Sequence, residues 1–380
     1  MGRIIQHFRE RWNYWLYLLL SVAVTAGVFS YLFTHISWRE VQDLLFNASL
    51  RGVIMMITLS MTMNVYRTWR YRLSLQVSGY VPSFGSLFLV TLIRGLCVDL
   101  LPARAGALVY VYLVTTRLGV PFGAAASSFA LTFLFDTIAL APLLVIAAVW
   151  VSASVQLPAG IMIGGGIAIF VITGVIVYYL SPLLKLADWF FTKLSFLRER
   201  LRRRIRRAIA ASDYQVRKAR RSGVFFRLLF QSVIVRLTKY GTLYFFFYAL
   251  THPYGYKLSD LSVPRVFLGL VSAEMAASLP VSGIAGFGAY EGTWAWVFQI
   301  LGFPGHVAKV TSVSHHLFTQ LYGYGLGVAA ILLLMLPVFK RVGGLKREVT
   351  KLSSPWLFYP ASLALLAAAA GVLWMIYNVG

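Results

Sequence analysis

The sequence predicts an all-α polytopic membrane protein, and three observations predict it. The chain has 380 residues, of which 59% are hydrophobic and only 12% charged, and its mean hydropathy is +0.74. Apolar runs of about 20 residues, each long enough to cross a hydrocarbon core, recur along the whole length. Between them lie basic segments of the kind that the positive-inside rule places in the cytoplasm. An ordinary soluble domain and a disordered chain are both excluded.

Composition also narrows the class of partner and site. The formal net charge is +23. Nucleic-acid binding would explain such a charge, but the positive-inside rule explains it better in a membrane protein, so we expect no nucleic-acid partner. The single cysteine, Cys97, excludes an internal disulfide and a multi-cysteine metal site, and we expect neither metal nor cofactor. The sequence has no Walker loop, His-Glu-x-x-His motif or Gly-x-Ser-x-Gly motif, and we expect no soluble catalytic domain at either end.

The first predicted span covers residues 14–34. Aromatic residues at its start suit a membrane interface, and the arginines before it place the N-terminus in the cytoplasm. The run is too long and too aromatic for a cleaved signal peptide. Residues 35–50 predict a short amphipathic segment at the outer surface, and residues 51–66 predict a span that returns inward. The arginines that follow are expected in the cytoplasm: Arg67, Arg70 and Arg72.

Residues 84–117 form a broken apolar region. Proline removes a backbone donor and glycine weakens a helix interior, so a continuous helix through Pro102 and Gly106 is disfavoured. The region also carries ionisable side chains: Arg94, Asp99 and Arg104. Two further spans are predicted after it, over residues 122–150 and 159–181.

The stretch from Arg198 to Arg221 is the most basic part of the chain. It predicts a helix along the inner leaflet, attracted to anionic headgroups by about 1 kcal/mol per basic residue. A role in topology alone is the alternative. Later spans are predicted over residues 224–250, 306–338 and 356–378, with a cytoplasmic basic segment between the last two.

A second broken region covers residues 264–301, and its centre reads Ser278-Leu-Pro-Val-Ser-Gly-Ile-Ala-Gly-Phe-Gly-Ala-Tyr-Glu-Gly292. The segment carries one carboxylate, Glu291, and its predicted breaks are Pro280, Gly283, Gly286 and Gly288. Unpaired backbone groups cannot face lipid, so such a segment must lie inside the protein or line a watery cavity. A broken helix with a buried charge usually marks the substrate site of a transporter.

Charge parity orients the two broken regions. The basic segments all stay inside only if residues 84–117 enter and leave from the inner face and residues 264–301 from the outer face. Each region is then a helical hairpin, either re-entrant or crossing twice. We therefore expect about seven transmembrane helices plus two oppositely oriented re-entrant helical hairpins in a single membrane domain, residues 1–380.

The two regions also resemble each other in sequence. A Leu-Pro break, a Leu-Gly-x-Pro turn and a following helix of small residues recur in the same order in residues 101–129 and 279–312. We interpret this pattern as an inverted-topology repeat; chance is the alternative, because Pro and Gly are common at helix ends. The predicted divisions are a first repeat over 51–181, a basic cytoplasmic segment over 182–223 and a second repeat over 224–378.

Ionisable side chains inside the membrane are the candidate site residues. Each costs at least about 2.5–3.5 kcal/mol on insertion scales, so it needs a partner or water. Besides those in the first hairpin they are Asp136, Arg236, Lys239, Glu274, Glu291, His315 and His316. For Asp136 an ion pair with Arg94 or Arg104 is favoured. For Arg104 and Glu291 a functional role is favoured, because they lie at helix breaks.

Arg236 and Lys239 lie three residues apart on one helical face. Two cations so placed suit a phosphate, with arginine offering a planar fork and lysine a point charge. Pairing with Glu274 or Glu291 is the alternative. The adjacent His315 and His316 point to different faces of a helix, where one would carry a proton or both would make ordinary polar contacts.

Several of these segments resemble a known family. Leu101-Pro-Ala-Arg-Ala-Gly106, Asp136 and above all Gly286-Phe-Gly-Ala-Tyr-Glu-Gly292 are similar to the membrane region of lysylphosphatidylglycerol synthases, a family that also includes stand-alone flippase-like proteins. The resemblance covers roughly residues 14–340 and implies movement of a lipid between leaflets, without synthase activity. One departure concerns the first half: the family often has a Glu and then a basic residue where this chain has Ala107 and Tyr110.

We therefore expect a multi-pass protein of a bacterial or archaeal cell (inner) membrane that moves an anionic-headgroup lipid between leaflets. The lipid would be a phospholipid, an aminoacyl-phospholipid or a polyprenyl-phosphate carrier. Substrate contacts are assigned to Arg104, Arg236, Lys239, Glu291, Asp136, Glu274 and Arg94. One alternative is an integral membrane enzyme acting on a lipid phosphate, with His315, Glu291 and Asp136 as acid–base groups. Another is a regulator that uses the basic segment.

Overall fold

The computed structural model describes residues 19–20, 22–100, 106–153, 175, 178–193, 199–279, 283 and 287–336, and every regular element in this part of the chain is a helix. In chain order the α-helices are α1 Val22–Phe33, α2 Trp38–Phe46, α3 Leu50–Val77, α4 Phe84–Leu100, α5 Gly106–Thr116, α6 Phe122–Ala153, α7 Leu180–Lys193, α8 Glu199–Arg221, α9 Phe225–Thr251, α10 Val263–Ala277, α11 Ala289–Ile300 and α12 Gly305–Met335. Two short 3₁₀ turns, His252–Tyr254 and Leu258–Asp260, join α9 to α10.

Among the described helices, two are long and apolar enough to cross a membrane: Phe122–Leu144 within α6, and α12. The pair α2 and α3, bent by 81°, adds a third if it forms one span. Two shorter apolar helices, Val22–Phe33 and Phe84–Val98, fall below that length. The all-helical prediction is confirmed over the described residues, whereas the number of spans and the domain divisions stay predictions. Residues 356–378 and most of 159–181 lie outside the described ranges.

At the centre of the bundle α3 packs along α9. The two helices approach closely at Gly52, where a Cβ atom would lie 2.7 Å from the Ala249 Cβ and 2.9 Å from the Phe245 carbonyl oxygen. Helix α3 continues beyond residue 66, where the predicted span ends, to Val77. Arg70 therefore lies within the helix and is only 1% exposed. It is tolerated there because a carboxylate from α6 pairs with it.

Each broken region contains two helices that pack against each other, α4 with α5 and α10 with α11. Pro102, Arg104, Pro280 and Gly286 lie outside the described residues. Gly106 starts α5 against the backbone of α4, since a Cβ atom on it would lie 2.1 Å from the Cys97 carbonyl carbon.

In the second region the break is explicit, because α10 ends at Ala277 and α11 begins at Ala289. Gly283 (φ 94°) and Gly288 (φ 110°) adopt a backbone conformation that disfavours any side chain. Across the bundle, α4 also packs against α12 and α10 against α6. Each hairpin thus contacts the long helix that follows the other hairpin.

The predicted basic helix is present as α8, and it packs antiparallel on α7, an amphipathic helix that lies almost wholly within the predicted basic cytoplasmic segment 182–223. Asp188 pairs with Arg206 at 2.9 Å, and this hydrogen bond lowers the pKa of the Asp188 carboxyl. The C-terminal part of α8 inserts Val216 and Ala219 between α3 and α6. One side of α7 leaves apolar residues exposed: Leu183, Leu186, Trp189 and Phe190.

Substituting Gly52 tests the close approach of α3 and α9. We expect Gly52→Ala to lower the thermal stability of the detergent-solubilised protein, because overpacking a tight contact costs about 1–3 kcal/mol. Gly323→Ala is the matched control, since nothing lies within 4 Å of a Cβ atom there. Equal melting temperatures for the two variants would contradict the packing described for the central pair.

Candidate functional site

A buried ion pair between α3 and α6 is the first element of the candidate site. Arg70 donates from Nη1 to Asp136 Oδ1 and from Nη2 to Oδ2 at 3.0 Å, so its planar fork engages the whole carboxylate. Nη1 also donates to Ser232 Oγ of α9 at 2.9 Å. Arg–carboxylate forks of this kind are strong and orient both partners. The partner of Asp136 is therefore Arg70 and not the predicted Arg94; Arg104, the other predicted partner, lies outside the described residues.

A second arginine reaches the same aspartate from α9. Arg236 donates from Nε to the backbone carbonyl of Asp136 at 3.1 Å, and Nε lies 3.7 Å from Oδ1. Asp136 is 21% exposed and Arg236 17%, whereas Arg70 is 1% exposed. The aspartate thus ties α3, α6 and α9 together and keeps one open side.

Two further arginines surround this pair without an acidic partner. In the described part of the chain no carboxylate forms an ion pair with Arg67 or Arg94. Arg67 reaches only Asn64 Oδ1, at 3.5 Å, and Met63 Sδ, at 3.2 Å. Arg94 places its guanidinium over the Tyr71 ring (5.9 Å) and the Phe129 ring (5.6 Å). The Nε atoms of Arg94 and Arg70 are buried and have no hydrogen-bond acceptor in the described residues.

These side chains form what we call the arginine cluster: Arg67, Arg70, Arg94 and Arg236 around Asp136. Arg67 is close enough to Arg94, Arg70 and Asp136 to interact electrostatically with each. Four guanidinium groups share one described carboxylate, because the Asp99 side chain and Arg104 lie outside what the structure describes. Unbalanced buried cations are costly, so the cluster favours binding of an anion.

Aromatic rings form one wall of the cluster. Tyr71 and Tyr110 stack with ring centroids 4.2 Å apart, and the Tyr110 hydroxyl lies 3.3 Å from Ser128 Oγ. Tyr110 and Tyr71 are both at most 1% exposed. Arg70 and Arg94 lie over the Tyr71 ring, at 6.0 and 5.9 Å, so Tyr110 supports the ring that these two arginines contact.

In the second half of the chain, Glu274 and Glu291 each contact a partner of their own. Lys239 of α9 pairs with Glu274 of α10, with Nζ 2.6 Å from Oε1, and Tyr240 donates to Glu274 Oε2 at 3.0 Å. The alternative prediction for Lys239, pairing with Glu274, is the one that the structure shows. Arg236 and Lys239 share a helix but contact different carboxylates, on α6 and α10.

Glu291 is fully buried at the N-terminal turn of α11. Its Oε2 accepts from the Gly288 backbone N–H at 2.7 Å and its Oε1 accepts from His316 Nδ1 at 2.5 Å. His316 Nε2 in turn lies 2.9 Å from Gln320 Nε2, which donates to a neutral imidazole. The carboxylate thus caps α11 and joins it to α12.

The neighbouring His315 faces the other way. It donates from Nε2 to the Leu243 carbonyl of α9 at 3.1 Å, and Nδ1 of a neutral ring accepts from the Tyr290 hydroxyl at 3.2 Å. Both ring nitrogens are therefore occupied by protein groups. The geometry matches the predicted alternative of an ordinary polar helix contact, and a role as proton carrier stays a prediction for either histidine.

Sequence analysis did not count Arg67 and Arg70 as site residues, because the positive-inside rule placed them in the cytoplasm. A usable signal was present: Arg67-x-x-Arg70-Tyr71 in α3 recurs as Arg236-x-x-Lys239-Tyr240 in α9. Substrate contact by any of the predicted site residues stays a prediction. Among the described residues, no three His, Cys, Asp or Glu side chains come together as metal ligands.

Comparison with known families gives one match. The family model described as lysylphosphatidylglycerol synthase TM region matches residues 18–327. A search of curated protein sequences finds no significant match. The matched range includes both hairpins, the arginine cluster and the Glu291–His316 pair.

Replacing Asp136 tests its role as the tie between helices. We expect Asp136→Asn to destabilise the detergent-solubilised protein by about 3–5 kcal/mol, the usual cost of removing one partner from a buried ion pair. Asp188→Asn serves as the control, because its pair with Arg206 is at the surface and should leave the melting temperature nearly unchanged. If both variants melt at the wild-type temperature, the Arg70–Asp136 pair does not hold the bundle together.

Proposed function

The chain belongs to the lysylphosphatidylglycerol synthase TM-region family, and from this membership and the arginine cluster we propose that it moves a lipid with an anionic headgroup between the leaflets of a membrane. The family and the apolar helices establish a multi-pass membrane protein connected with lipid metabolism or transport. Translocation is the finer step that we add.

One observation carries the proposal: the arginine cluster has more cations than its described carboxylate can balance. Arg94 Nε has no acceptor among the described residues, and Arg67 donates to Asn64 Oδ1 and Met63 Sδ and not to a carboxylate there. Asp136 itself keeps one exposed side. Guanidinium forks match phosphate geometry and attract it strongly in a low-dielectric site. An anionic headgroup would enter the cluster while its acyl chains remain in lipid.

Alternating access would come from an inverted repeat. In support, the Arg-x-x-Arg/Lys-Tyr motif occurs once in α3 and once in α9, the two helices that pack together at the centre. The contacts of α4 with α12 and of α10 with α6 follow the same symmetry. In transporters built this way, one repeat rocks against the other around a site near the midplane. Gly283 and Gly288, at the break before α11, would serve as hinge positions together with Gly106.

We propose a transporter and not an enzyme. Each acid–base candidate of the enzymatic alternative is engaged by the protein: His315 by Tyr290 and Leu243, Glu291 by His316 and Gly288, and Asp136 by Arg70. A general acid or base must lie within hydrogen-bond reach of the proton it transfers, and these three side chains direct their hydrogen bonds to protein groups. Glu274 is instead assigned to balancing Lys239 and Glu291 to holding His316 by a hydrogen bond, and Arg104, outside the described residues, keeps its predicted contact with the headgroup.

Membrane orientation follows from charge. We propose a bacterial or archaeal cell (inner) membrane with the N-terminus in the cytoplasm and α8 on the inner face, because α8 carries the densest basic sequence. The loop between α9 and α10 would then lie outside.

Cysteine labelling tests this orientation. In a Cys97→Ser background, Ser259→Cys should react with a membrane-impermeant maleimide in intact cells, whereas Ser222→Cys should react only after permeabilisation. Both serines are exposed, so reactivity depends on the side of the membrane. The reverse pattern would overturn the proposed orientation.

Leaflet-resolved transport in proteoliposomes tests the function itself. We expect Arg67→Gln and Arg94→Gln each to slow translocation of an anionic phospholipid about tenfold or more, because each removes charge-assisted hydrogen bonds to the headgroup. Arg203→Gln is the control, since Arg203 is exposed on α8 and pairs with Glu199. Equal rates in wild type, both cluster variants and the control would remove the arginine cluster from the transport path.

A further inference from the structure

The composition of the arginine cluster bears on which anionic headgroup it binds. Arg70 and Arg236 share the one described carboxylate, and Arg67 and Arg94 have none, so three positive charges are left over among the described residues. One of these charges is the surplus of Arg70 and Arg236 over Asp136, and the other two lie on Arg67 of α3 and Arg94 of α4. A ligand that completes the cluster must meet two guanidinium groups at once.

Lipid phosphates fall into two classes by charge and by free oxygens. A phosphodiester, as in most phospholipids, has one negative charge and two non-bridging oxygens, enough for one bidentate arginine. A phosphomonoester has a charge of about −1.5 to −2 near neutral pH and three strong acceptor oxygens. Three oxygens can engage two arginine forks, because one oxygen is shared between them. From this match we propose that the headgroup of the arginine cluster is a phosphomonoester, as a terminal phosphate on a lipid chain. The inference rests on the proposed transport function and specifies its substrate class.

Burial of the arginine side chains also favours a phosphomonoester over a phosphodiester. Arg70 is 1% exposed and its Nε has no acceptor in the described residues, and the same is true of the buried Arg94 Nε. The Arg94 guanidinium lies over two aromatic rings, 5.6 Å from Phe129 and 5.9 Å from Tyr71. No described carboxylate pairs with it, so none competes with a ligand there. Charge left unneutralised in such a setting is costly, and a dianion removes more of it than a monoanion does.

The second half of the chain does not offer an equivalent site. Lys239 is neutralised by Glu274, and the Glu291 carboxylate is occupied by His316 and by the Gly288 N–H. A headgroup amine would need a free carboxylate, and among the described residues near the cluster Asp136 is already held by Arg70 and Arg236. The arrangement therefore favours a bare terminal phosphate over a headgroup with an added amine.

A matched pair of lipids tests the proposal on the full chain. Phosphatidic acid and phosphatidylmethanol with identical acyl chains differ by one methyl group, which converts a phosphomonoester into a phosphodiester. At pH 8 we expect the purified protein in detergent to bind phosphatidic acid at least tenfold more tightly, measured by native mass spectrometry or by displacement of a fluorescent lipid. At pH 5.5 phosphatidic acid is mainly a monoanion, so the preference should shrink to less than threefold.

Variants separate binding by the cluster from general charge. Arg94→Gln should reduce the preference for phosphatidic acid at pH 8 about tenfold, and Arg94→Lys should restore only part of it, because lysine keeps the charge and loses the fork. Arg203→Gln should leave the preference unchanged. Arg94 has no ion pair to lose among the described residues, so a melting temperature near that of wild type would show that the variant is folded.

Other outcomes overturn the proposal. Equal binding of the two lipids, or tighter binding of phosphatidylmethanol, would rule out a phosphomonoester. Complete displacement of phosphatidic acid by an equal concentration of inorganic phosphate would show that the site takes free phosphate and not a lipid. If phosphodiester lipids are moved in the leaflet-resolved assay without any preference for phosphatidic acid, the transport function stands and the substrate class is wrong. If neither lipid is bound or moved, both proposals fail.

Discussion

The structure depends on one ion pair, between Arg70 and Asp136. It joins α3 to α6 through a bidentate contact, and Ser232 and Arg236 attach α9 to the same two side chains. An isolated buried charge is costly, so Arg70 requires Asp136 beside it. Asp136 in turn holds Arg236 in place. Arg67 and Arg94 lie near Asp136, but this carboxylate already pairs with Arg70 and Arg236. The positive charge of Arg67 and Arg94 is therefore in excess among the described residues.

The two halves of the chain differ in how their buried charged side chains are paired. In the second half, Glu274 meets Lys239 and Glu291 meets His316, so each carboxylate has its own partner. At the arginine cluster, three arginines of the first half and Arg236 of the second half share one described carboxylate. Both halves carry the Arg-x-x-Arg/Lys-Tyr motif, and what differs is the number of carboxylates on the facing helices.

Much of the helical order could be predicted from the sequence, because hydrophobic length and the positions of Pro and Gly are local properties. The amphipathic α2, the basic α8 and the break between α10 and α11 are where the pattern placed them. The burial of Arg70 could not be predicted in this way. The positive-inside rule treats every arginine as solvated and takes no account of Asp136, 66 residues later, which pairs with Arg70. Likewise, the pairing of Glu291 with His316 depends on how α11 lies against α12, which no local pattern records. The motif repeated in α3 and α9 is a sequence feature that could have marked Arg70 as a site residue.

The hairpin contacts suggest how occupancy of the arginine cluster would be linked to movement. Arg94 is on α4, the first helix of the first hairpin, whereas Arg67 and Arg70 are on α3. Helix α4 packs closely on α12, where a Cβ atom on Gly327 would lie 2.4 Å from the Leu96 Cβ, so the hairpin and α12 would move together. On the proposed rocking motion, a shift of α4 with α12 would separate Arg94 from Arg67. The two guanidinium groups carry like charges, so without a ligand their repulsion would favour that separation. A bound anion between them offsets the repulsion and favours the closed arrangement, because a ligand shifts a conformational equilibrium by its difference in affinity for the two states. The same excess charge that selects the headgroup would therefore also set which conformation follows its binding.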